Sequence, residues 1–307
     1  MVFKVVVFTA TGDQGSSVCK YALEAGFEVY GITRNPTSDS AQALAAQGVH
    51  LIQGDMSSPS SYSSSLKGLD AAFINADFWA KYMSNGGDAD AAREAEMADS
   101  KGAADACVEA GIKHIVYSTL DAVEKGASPP HFASKAAVSA YLKEKKYPYT
   151  NLYTCIYFSN LYRFGLLKQS PDDKRWVLNF TVPDDTKLPS FPAEQTGKWV
   201  VAAWKAPDEW IGKDMTACTN VLTLTEMAAS LSNIAGFKVD TPHVSREVFF
   251  SEAYKESAGK DVWLAMRILL EGGMDRDVEA SKKVVPDQLD FEAWARNSSD
   301  LKTLLGI

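Results

Sequence analysis

The chain has 307 residues, of which 46% are hydrophobic and 23% charged, a composition typical of a globular protein with a large buried core. Its formal net charge of −8 argues against direct binding of nucleic acid, because phosphate binding needs a basic face. The densest basic cluster, Lys143–Lys146, is better explained as the charged end of a helix. No apolar run reaches the roughly 18–20 residues that cross a bilayer, and the N-terminus has no secretion-signal pattern. We therefore expect a cytoplasmic protein with no membrane span. A protein that also enters the nucleus is the alternative.

The four cysteines, Cys19, Cys107, Cys155 and Cys218, are widely separated in the sequence and form no Cys-x-x-Cys pair. This spacing predicts neither a zinc site nor a disulfide framework, so each cysteine is expected to be a small buried thiol. The four histidines are scattered as well. The sequence therefore predicts no metal site.

The first half of the sequence alternates between strand and helix patterns. Apolar runs such as Val2–Phe8 are typical of strands buried on both faces of a parallel sheet, whereas Gln14–Ala25 carries apolar residues at helical spacing. This alternation predicts an α/β fold with a doubly wound parallel sheet of the Rossmann type and right-handed crossovers. Strands are predicted at 2–8, 27–33, 49–53, 70–75, 114–118 and 149–155, and helices at 14–25, 38–46, 89–110 and 134–145.

The pattern changes after about Tyr157. Segment 158–193 mixes aromatic residues, proline and aspartate without a clear period, and the C-terminal part has helical patterns with polar breaks. We expect a Rossmann domain at 1–156, to which 194–230 returns. A smaller C-terminal α+β lobe is expected at 157–193 and 231–307, covering the cleft at the carboxyl edge of the sheet.

Two glycines lie in the turn after the first predicted strand. Gly12 and Gly15 hold the second and third positions of a Gly-x-x-Gly-x-x-Gly spacing, and Thr9 holds the first. Glycine is used where the backbone turns tightly and lets a pyrophosphate approach the N-terminus of the helix. Thr9 is a departure whose side chain could crowd the turn. The turn predicts a dinucleotide site with these candidate contacts: Thr9, Thr11, Gly12, Asp13, Gln14 and Gly15.

The residues after the second predicted strand distinguish between the two nicotinamide dinucleotides. NAD-binding sites usually place Asp or Glu here to hold the ribose hydroxyls, but this chain has Thr33-Arg34-Asn35-Pro36. An acid would repel a 2′-phosphate, whereas a guanidinium can form two hydrogen bonds with it. Arg34 therefore predicts NADP(H) as the cofactor. The alternative is a solvated arginine in a loop.

Further candidate contacts follow the third and fourth predicted strands. Asp55 and the adjacent Met56 come after Gln53-Gly54, and Asp55 is expected near the adenine. Asn75 and Phe78 come after the fourth strand. Because ligands of doubly wound sheets bind at the carboxyl ends of the strands, Asn75 and Phe78 are expected to flank the cofactor crevice.

Several of these segments resemble the NmrA-like family of atypical short-chain dehydrogenases, in particular its NADPH-sensor members. The resemblance covers most of the chain and is carried by Val7–Gly15, Thr33–Pro36, Gln53–Asp55, Val116–Ser118, His131–Lys135, Tyr157–Leu161 and Glu209–Gly236. It implies a Rossmann domain with a small C-terminal lobe and NADP(H) in the cleft. It also implies that Arg34 holds the 2′-phosphate and Lys135 the nicotinamide ribose. Lys101 matches a lysine that the family often has on the long helix, and the resemblance places Tyr157, Phe158 and Asn160 at the nicotinamide end.

The spacing that carries catalysis in typical short-chain dehydrogenases is altered here. Those enzymes use Tyr-x-x-x-Lys, in which the lysine lowers the pKa of the tyrosine, but this chain has His131 four residues before Lys135. His131 could transfer a proton near neutral pH, and Ser118 stands where dehydrogenases keep a catalytic serine. The alternatives are that Pro129-Pro130 fixes His131 at a helix start, facing solvent or cofactor, and that Ser118 is a loop hydroxyl.

Two functions fit this pattern. The first is a regulatory NADP(H)-binding protein whose shape, homodimerisation or contact with a protein partner responds to the cofactor; the missing tyrosine and the acidic charge favour it. The second is an NADPH-dependent reductase of a quinone, enone or other small carbonyl. Lys135, retained together with His131, supports the reductase, as does an aromatic-rich lobe with Trp79, Tyr82, Tyr157, Phe158 and Trp176. A third reading is a protein that binds the cofactor only for stability. We favour the first.

Overall fold

A computed structural model of the chain describes residues 2–123 and 128–307. Strands and helices alternate up to residue 153. In chain order these elements are β1 (Lys4–Val7), α1 (Asp13–Glu24), β2 (Glu28–Thr33), α2 (Asp39–Ala46), β3 (His50–Gln53), β4 (Ala71–Ile74), α3 (Phe78–Ser84), α4 (Ala89–Glu109), β5 (His114–Thr119), α5 (Pro130–Glu144) and β6 (Tyr149–Tyr153).

The remaining elements are shorter on average and less regular in order. They are β7 (Ile156–Tyr157), α6 (Asn160–Arg163), β8 (Leu167–Gln169), β9 (Trp176–Leu178), β10 (Lys187–Phe191), α7 (Thr196–Lys205), α8 (Pro207–Trp210), β11 (Lys213–Thr216), β12 (Asn220–Thr223), α9 (Leu224–Ala235), β13 (Val239–Asp240), α10 (Arg246–Phe249), α11 (Glu252–Ala258), α12 (Lys260–Leu270), α13 (Val278–Val284), α14 (Phe291–Asn297) and α15 (Ser299–Leu305). Short 3-10 helices lie at Pro59–Ser61, Ser63–Leu66 and Ala193–Gln195.

The chain divides into two compact units. The first contains the chain up to Val123, Pro130–Thr154 and Ala193–Ala217, and the second contains Cys155–Pro192 and Cys218–Ile307. We expected the return to the first domain to span 194–230, but it ends at Ala217. The reason is that β12 pairs with β10 inside the second unit, and α9 follows β12 directly.

The first unit is built on a seven-stranded sheet with the order β11-β6-β5-β4-β1-β2-β3, and every neighbouring pair is parallel. Val6 and Ile74 belong to a core that also contains apolar side chains of α4 and α5. Because neighbouring strand residues point to opposite faces, the fully buried Val5 and Val7 face the other helical layer, in which α1 packs against α7. The predicted doubly wound sheet is confirmed, and its strand order reverses between β1 and β4.

Two helices of the first unit differ from the prediction. α5 begins at Pro130 rather than Ser134, because proline suits the first helical position, where no N–H is needed. α3 lies in a segment without a predicted element. The Asp77 side chain caps it by accepting a hydrogen bond from the Ala80 N–H at 3.0 Å. Both helices follow strands at the carboxyl edge of the sheet, so they determine which side chains stand there.

The second unit has two three-stranded sheets, β12-β10-β7 and β13-β9-β8, together with helices. α9 begins with a capping box formed by Thr223 and Glu226 and ends at Gly236 in a left-handed conformation. Within residues 2–123 and 128–307, no helix combines the length and the apolar character needed to cross a membrane.

Candidate functional site

The turn between β1 and α1 keeps its tight geometry although a threonine stands in the first glycine position. Thr9 has a φ of 48°, in the left-handed region that favours glycine. Its Oγ1 donates a hydrogen bond to the carbonyl oxygen of Asn75 at 3.0 Å, and its own carbonyl accepts from the Gly12 N–H at 2.9 Å. The threonine side chain is therefore used to join the carboxyl ends of β1 and β4.

Gly15 is the glycine that the turn needs most. A Cβ atom at this position would lie 2.2 Å from the Thr9 carbonyl oxygen and 2.9 Å from the Ala10 Cα, whereas one at Gly12 would lie 3.4 Å from the Thr9 oxygen. Gly12 precedes α1, which begins at Asp13 with its N-terminus at the turn. The absence of a side chain at Gly15 thus lets the helix start close against the strand, as pyrophosphate-binding turns require.

A cavity of about 390 Å³ lies at the ends of β2 and β3 and is lined by Arg34, Gln53, Gly54, Asp55 and Ser61. Arg34 is exposed and supplies positive charge to it. The Asp55 carboxylate accepts hydrogen bonds from the Ser57 N–H at 2.9 Å and the Ser57 hydroxyl at 2.8 Å. These bonds lower the pKa of Asp55, and the charges of Lys81 and Arg34 lower it further, so Asp55 is ionised at neutral pH.

Asn75 and Lys135 meet where β4 ends. The Lys135 ammonium donates to Asn75 Oδ1 at 3.2 Å and to the Ala76 carbonyl at 3.3 Å, and it forms an ion pair with Glu96 Oε1 at 3.0 Å. The Glu96 side chain is fully buried and that of Lys135 is 12% exposed. Ser134 also donates a hydrogen bond to Glu96. A buried carboxylate from α4 therefore holds the lysine near the place where the strand order reverses, between β1 and β4.

The sequence analysis did not identify Glu96. It stands on the stripe of α4 that includes Ala92, Ser100 and Ala103, all buried. A carboxylate on the buried stripe of a helix was the signal that could have pointed to it, because such a group needs a partner. Asp99 gives the same signal on α4, and it is buried and pairs with Lys81 at 2.8 Å.

His131 lies in an aromatic cluster at the start of α5. Its ring centroid is 5.5 Å from that of Phe78 and 5.2 Å from that of Trp79. Burial, followed by the positive charge of Lys135, lowers the pKa of His131 to about 4. His131 is therefore neutral near pH 7, which does not suit a residue that must carry a proton there. Trp79 and Tyr82, which we assigned to the aromatic-rich lobe, lie on α3 in the first unit.

Ser118 and its neighbour Tyr117 are fully buried near the end of β5. No hydrogen-bond partner for the Ser118 hydroxyl is found among the described residues. Burial, and then the charge of Glu96, raises the pKa of Tyr117 well above its usual value. Tyr117 is thus a protonated core residue.

The other predicted site residues lie apart from this cluster. The Lys101 ammonium lies over the ring of Tyr141, 5.1 Å from its centroid. Tyr141 follows Lys135 by six residues on α5, a rise of about 9 Å. Met56 is buried in the core of the first unit, so the structure gives it no open surface for a cofactor contact.

Three of the predicted contacts belong to the second unit. Tyr157 lies in β7 and its ring packs edge-on against Phe191, with centroids 5.4 Å apart. Phe158 is fully buried against Phe291 and Trp294, and Asn160 begins α6. Within the described ranges, no three His, Cys, Asp or Glu side chains come together as a set of metal ligands.

Two named proteins of similar sequence come from fungi. An NmrA-like family domain-containing oxidoreductase of Aspergillus flavus is 26% identical over 261 residues, which cover 76% of this chain and 74% of that protein. One of Penicillium ochrochloron is 35% identical over 150 residues, which cover 45% of this chain and 42% of that protein. The second match thus spans less than half of that relative's length.

Solved structures share the fold at low sequence identity. NmrA, a negative transcriptional regulator, in complex with NADP has a TM-score of 0.76 at 22% identity, with 96% of this chain and 95% of that chain covered. NmrA has also been solved in complex with NAD, with a TM-score of 0.78. The triphenylmethane reductase of Citrobacter sp. complexed with NADP(H) has a TM-score of 0.74 at 19% identity, with 98% and 100% covered. The model of the NmrA-like family matches residues 1–295, and this chain belongs to that family.

Proposed function

We propose that the chain binds NADP(H) at the carboxyl edge of the parallel sheet of its first unit. The observation that carries this proposal is the β1–α1 turn, in which a Cβ at Gly15 would meet the Thr9 carbonyl at 2.2 Å. The residues present fit the cofactor, because Gly12 and Gly15 carry no side chain in the turn and Arg34 supplies a cation to the neighbouring cavity. Gly12, Gln14 and Gly15 would hold the pyrophosphate, and Asn75 and Lys135 the nicotinamide ribose.

The preference for NADP(H) over NAD(H) is assigned to Arg34. A hydrogen bond to a charged group contributes about 1.5–3 kcal/mol, which corresponds to roughly tenfold or more in affinity. Arg34→Ala is therefore expected to weaken NADPH binding by at least about tenfold and to leave NADH binding unchanged. Titrations of NADPH, NADP⁺, NADH and NAD⁺ with both proteins measure this difference.

Arg93→Ala is the matched control for this experiment. Arg93 is a partly exposed arginine of α4 that pairs with Asp90 at 3.0 Å, so its removal should change neither affinity. Equal binding of NADH and NADPH to the unaltered chain would contradict the assignment.

The role that the site supports best is that of a cofactor-responsive regulator. Histidine replaces the tyrosine of Tyr-x-x-x-Lys, and His131 is neutral and packed among aromatic rings. NmrA, which shares the fold, is a negative transcriptional regulator. We expect NADPH or NADP⁺ to change self-association or affinity for a protein partner. Sedimentation velocity with and without each dinucleotide, together with the same comparison for candidate partners, tests this role. If occupancy changes neither quantity, the role is wrong.

The second candidate is an NADPH-dependent reductase of a quinone, enone or other small carbonyl. Trp79 is 40% exposed beside His131 and so offers an aromatic surface near Lys135, and the fungal relatives are named oxidoreductases. Bound NADPH would supply a hydride, and Lys135 would hold the ribose. Steady oxidation of NADPH with a panel of such substrates would support this candidate. Lys135→Ala should then abolish turnover and Lys101→Ala, whose ammonium lies over Tyr141, should not.

A further inference from the structure

Two cysteines that are far apart in the sequence are neighbours in the second unit. The side chain of Cys155 lies close enough to that of Cys218 to lower its pKa. Cys218 Sγ also lies 3.2 Å from the carbonyl oxygen of Asn220 and 3.7 Å from that of Ser190. Each cysteine is the first residue after the chain leaves the first unit, once after β6 and once after β11. The sequence analysis treated them as separate buried thiols.

Strand register explains why they meet. β6 and β11 are parallel with Tyr153 opposite Thr216, and the Ala217 N–H continues the pairing by donating to the Tyr153 carbonyl at 2.9 Å. Cys155 and Cys218 follow Tyr153 and Thr216 by the same two residues. Neighbouring strands lie about 4.8 Å apart, and a disulfide spans Cα atoms about 4.4–6.8 Å apart. The register of β6 and β11 therefore brings the two cysteines to neighbouring positions just beyond the ends of both strands.

The surroundings of Cys218 differ from those of the two cysteines in the first unit. Burial raises the pKa of Cys19 to about 12 and places that of Cys107 still further above its usual value. The pKa of Cys218 is lowered instead, first by its interaction with Cys155, and the charge of Arg276 contributes in the same direction. Because the thiolate is the nucleophile, Cys218 is the better attacking group of these three.

We propose that Cys155 and Cys218 form a reversible disulfide when the protein meets hydrogen peroxide. The Cys218 sulfur attacks one peroxide oxygen, the O–O bond breaks, and the departing hydroxide leaves as water with the Cys218 thiol proton. The Cys155 sulfur then attacks the sulfenic sulfur of Cys218, the S–O bond breaks, and a second water leaves with the Cys155 proton. The two sulfurs lose two electrons, which reduce one peroxide to two waters. Cys218 is fully buried and Cys155 is 6% exposed, so the oxidant has to be as small as peroxide and has to reach Cys218 past Cys155.

The test is to treat the native full-length chain with hydrogen peroxide, alkylate the remaining thiols and map the peptides by mass spectrometry. We expect a linked peptide pair containing Cys155 and Cys218, two hydrogens lighter than the reduced pair and restored by dithiothreitol. Cys19 and Cys107 serve as internal controls and should stay reduced over the same time. This measurement needs no variant, so it does not depend on the folding of one.

Two variants separate the disulfide from other oxidation. Cys155→Ser should let Cys218 gain oxygen without any link, and Cys19→Ser/Cys107→Ser should leave the link unchanged. The proposal is overturned if native Cys155 and Cys218 stay reduced, if they link only after the chain is unfolded by denaturant, or if they link to other molecules instead of each other. None of these outcomes depends on NADP(H) binding, so failure here is distinct from failure of the proposed function.

Discussion

At the scale of single residues, the Glu96 carboxylate decides where the Lys135 ammonium stands. The lysine is 12% exposed and the glutamate is fully buried, so water solvates neither charge well. An ion pair of this kind contributes little net stability, because desolvation offsets attraction, but removing one partner leaves the other uncompensated. Lys135 donates a hydrogen bond to the side chain of Asn75, and the main-chain carbonyl of Asn75 accepts one from Thr9. These two bonds connect the ion pair to the β1–α1 turn.

We therefore expect Glu96→Gln to lower the free energy of unfolding by about 3–5 kcal/mol. Adding Lys135→Met should recover part of the loss, because the double variant carries no unpaired charge. Urea denaturation of both variants measures the coupling. Glu94→Gln is the control, since Glu94 is exposed and pairs with Arg93 at 3.6 Å, and its change should stay within about 0.5 kcal/mol. Equal effects at the two positions would contradict the structural role of Glu96.

At the scale of elements, the distance between β1 and α1 depends on one missing side chain. α1 starts close to the strand because Gly15 has no Cβ to meet the Thr9 carbonyl. Two residues after the strand, Thr9 is left-handed, which costs roughly 1–2 kcal/mol in backbone strain. The Thr9 hydrogen bond to Asn75 offsets part of that cost. The turn between strand and helix thus accommodates a threonine at position 9 but no side chain at position 15.

Gly15→Ala is expected to destabilise the chain by about 1–3 kcal/mol, because the new methyl group has to push the turn away from α1. It should also weaken NADPH binding, since the turn is the proposed pyrophosphate site. Gly12→Ala places its Cβ at 3.4 Å from the same carbonyl and should cost less than about 1 kcal/mol. Thermal unfolding and NADPH titration of the two variants compare them. A larger loss for Gly12→Ala would show that the turn is arranged differently.

At the scale of the whole molecule, two buried histidines make stability depend on pH. Burial lowers the pKa values of His114 and His131 to about 4, and the charge of Lys135 adds to the effect for His131. In the unfolded chain a histidine titrates near 6.5. The stabilisation from each neutral histidine is therefore complete above about pH 6.5 and is lost as the pH falls towards 4, because only the unfolded state takes up the proton in that range.

His131→Phe should reduce this loss by about 3 kcal/mol between pH 7 and 4, which is the free energy that corresponds to the pKa shift. Phenylalanine keeps the contacts with Phe78 and Trp79 while removing the titration. Urea denaturation at a series of pH values measures the difference. A His131→Phe chain with the original pH dependence would contradict the buried neutral state.

Much of the first unit could be predicted because its signals are local. The apolar strand β1, Gly12 and Gly15 define the strand–turn–helix unit without reference to distant residues. Arg34 could be found because it follows β2 directly. The helical stripe marks Glu96 as a buried residue, but nothing in its own segment shows that it approaches Lys135. Met56 adjoins Asp55 in the sequence, and only the structure shows that its side chain packs in the core.

The sequence by itself determined the α/β alternation, the glycine turn and the family, because periodicity and short motifs are encoded in neighbouring residues. Only the tertiary structure decided which residues share a site. The Lys135 and Glu96 pair depends on the packing of α5 against α4, and the Cys155 and Cys218 pair on the register of β6 and β11. The left-handed Thr9 is likewise held by Asn75 from another strand. These contacts join distant segments, and strand register and helix packing set them only once the whole sheet has formed.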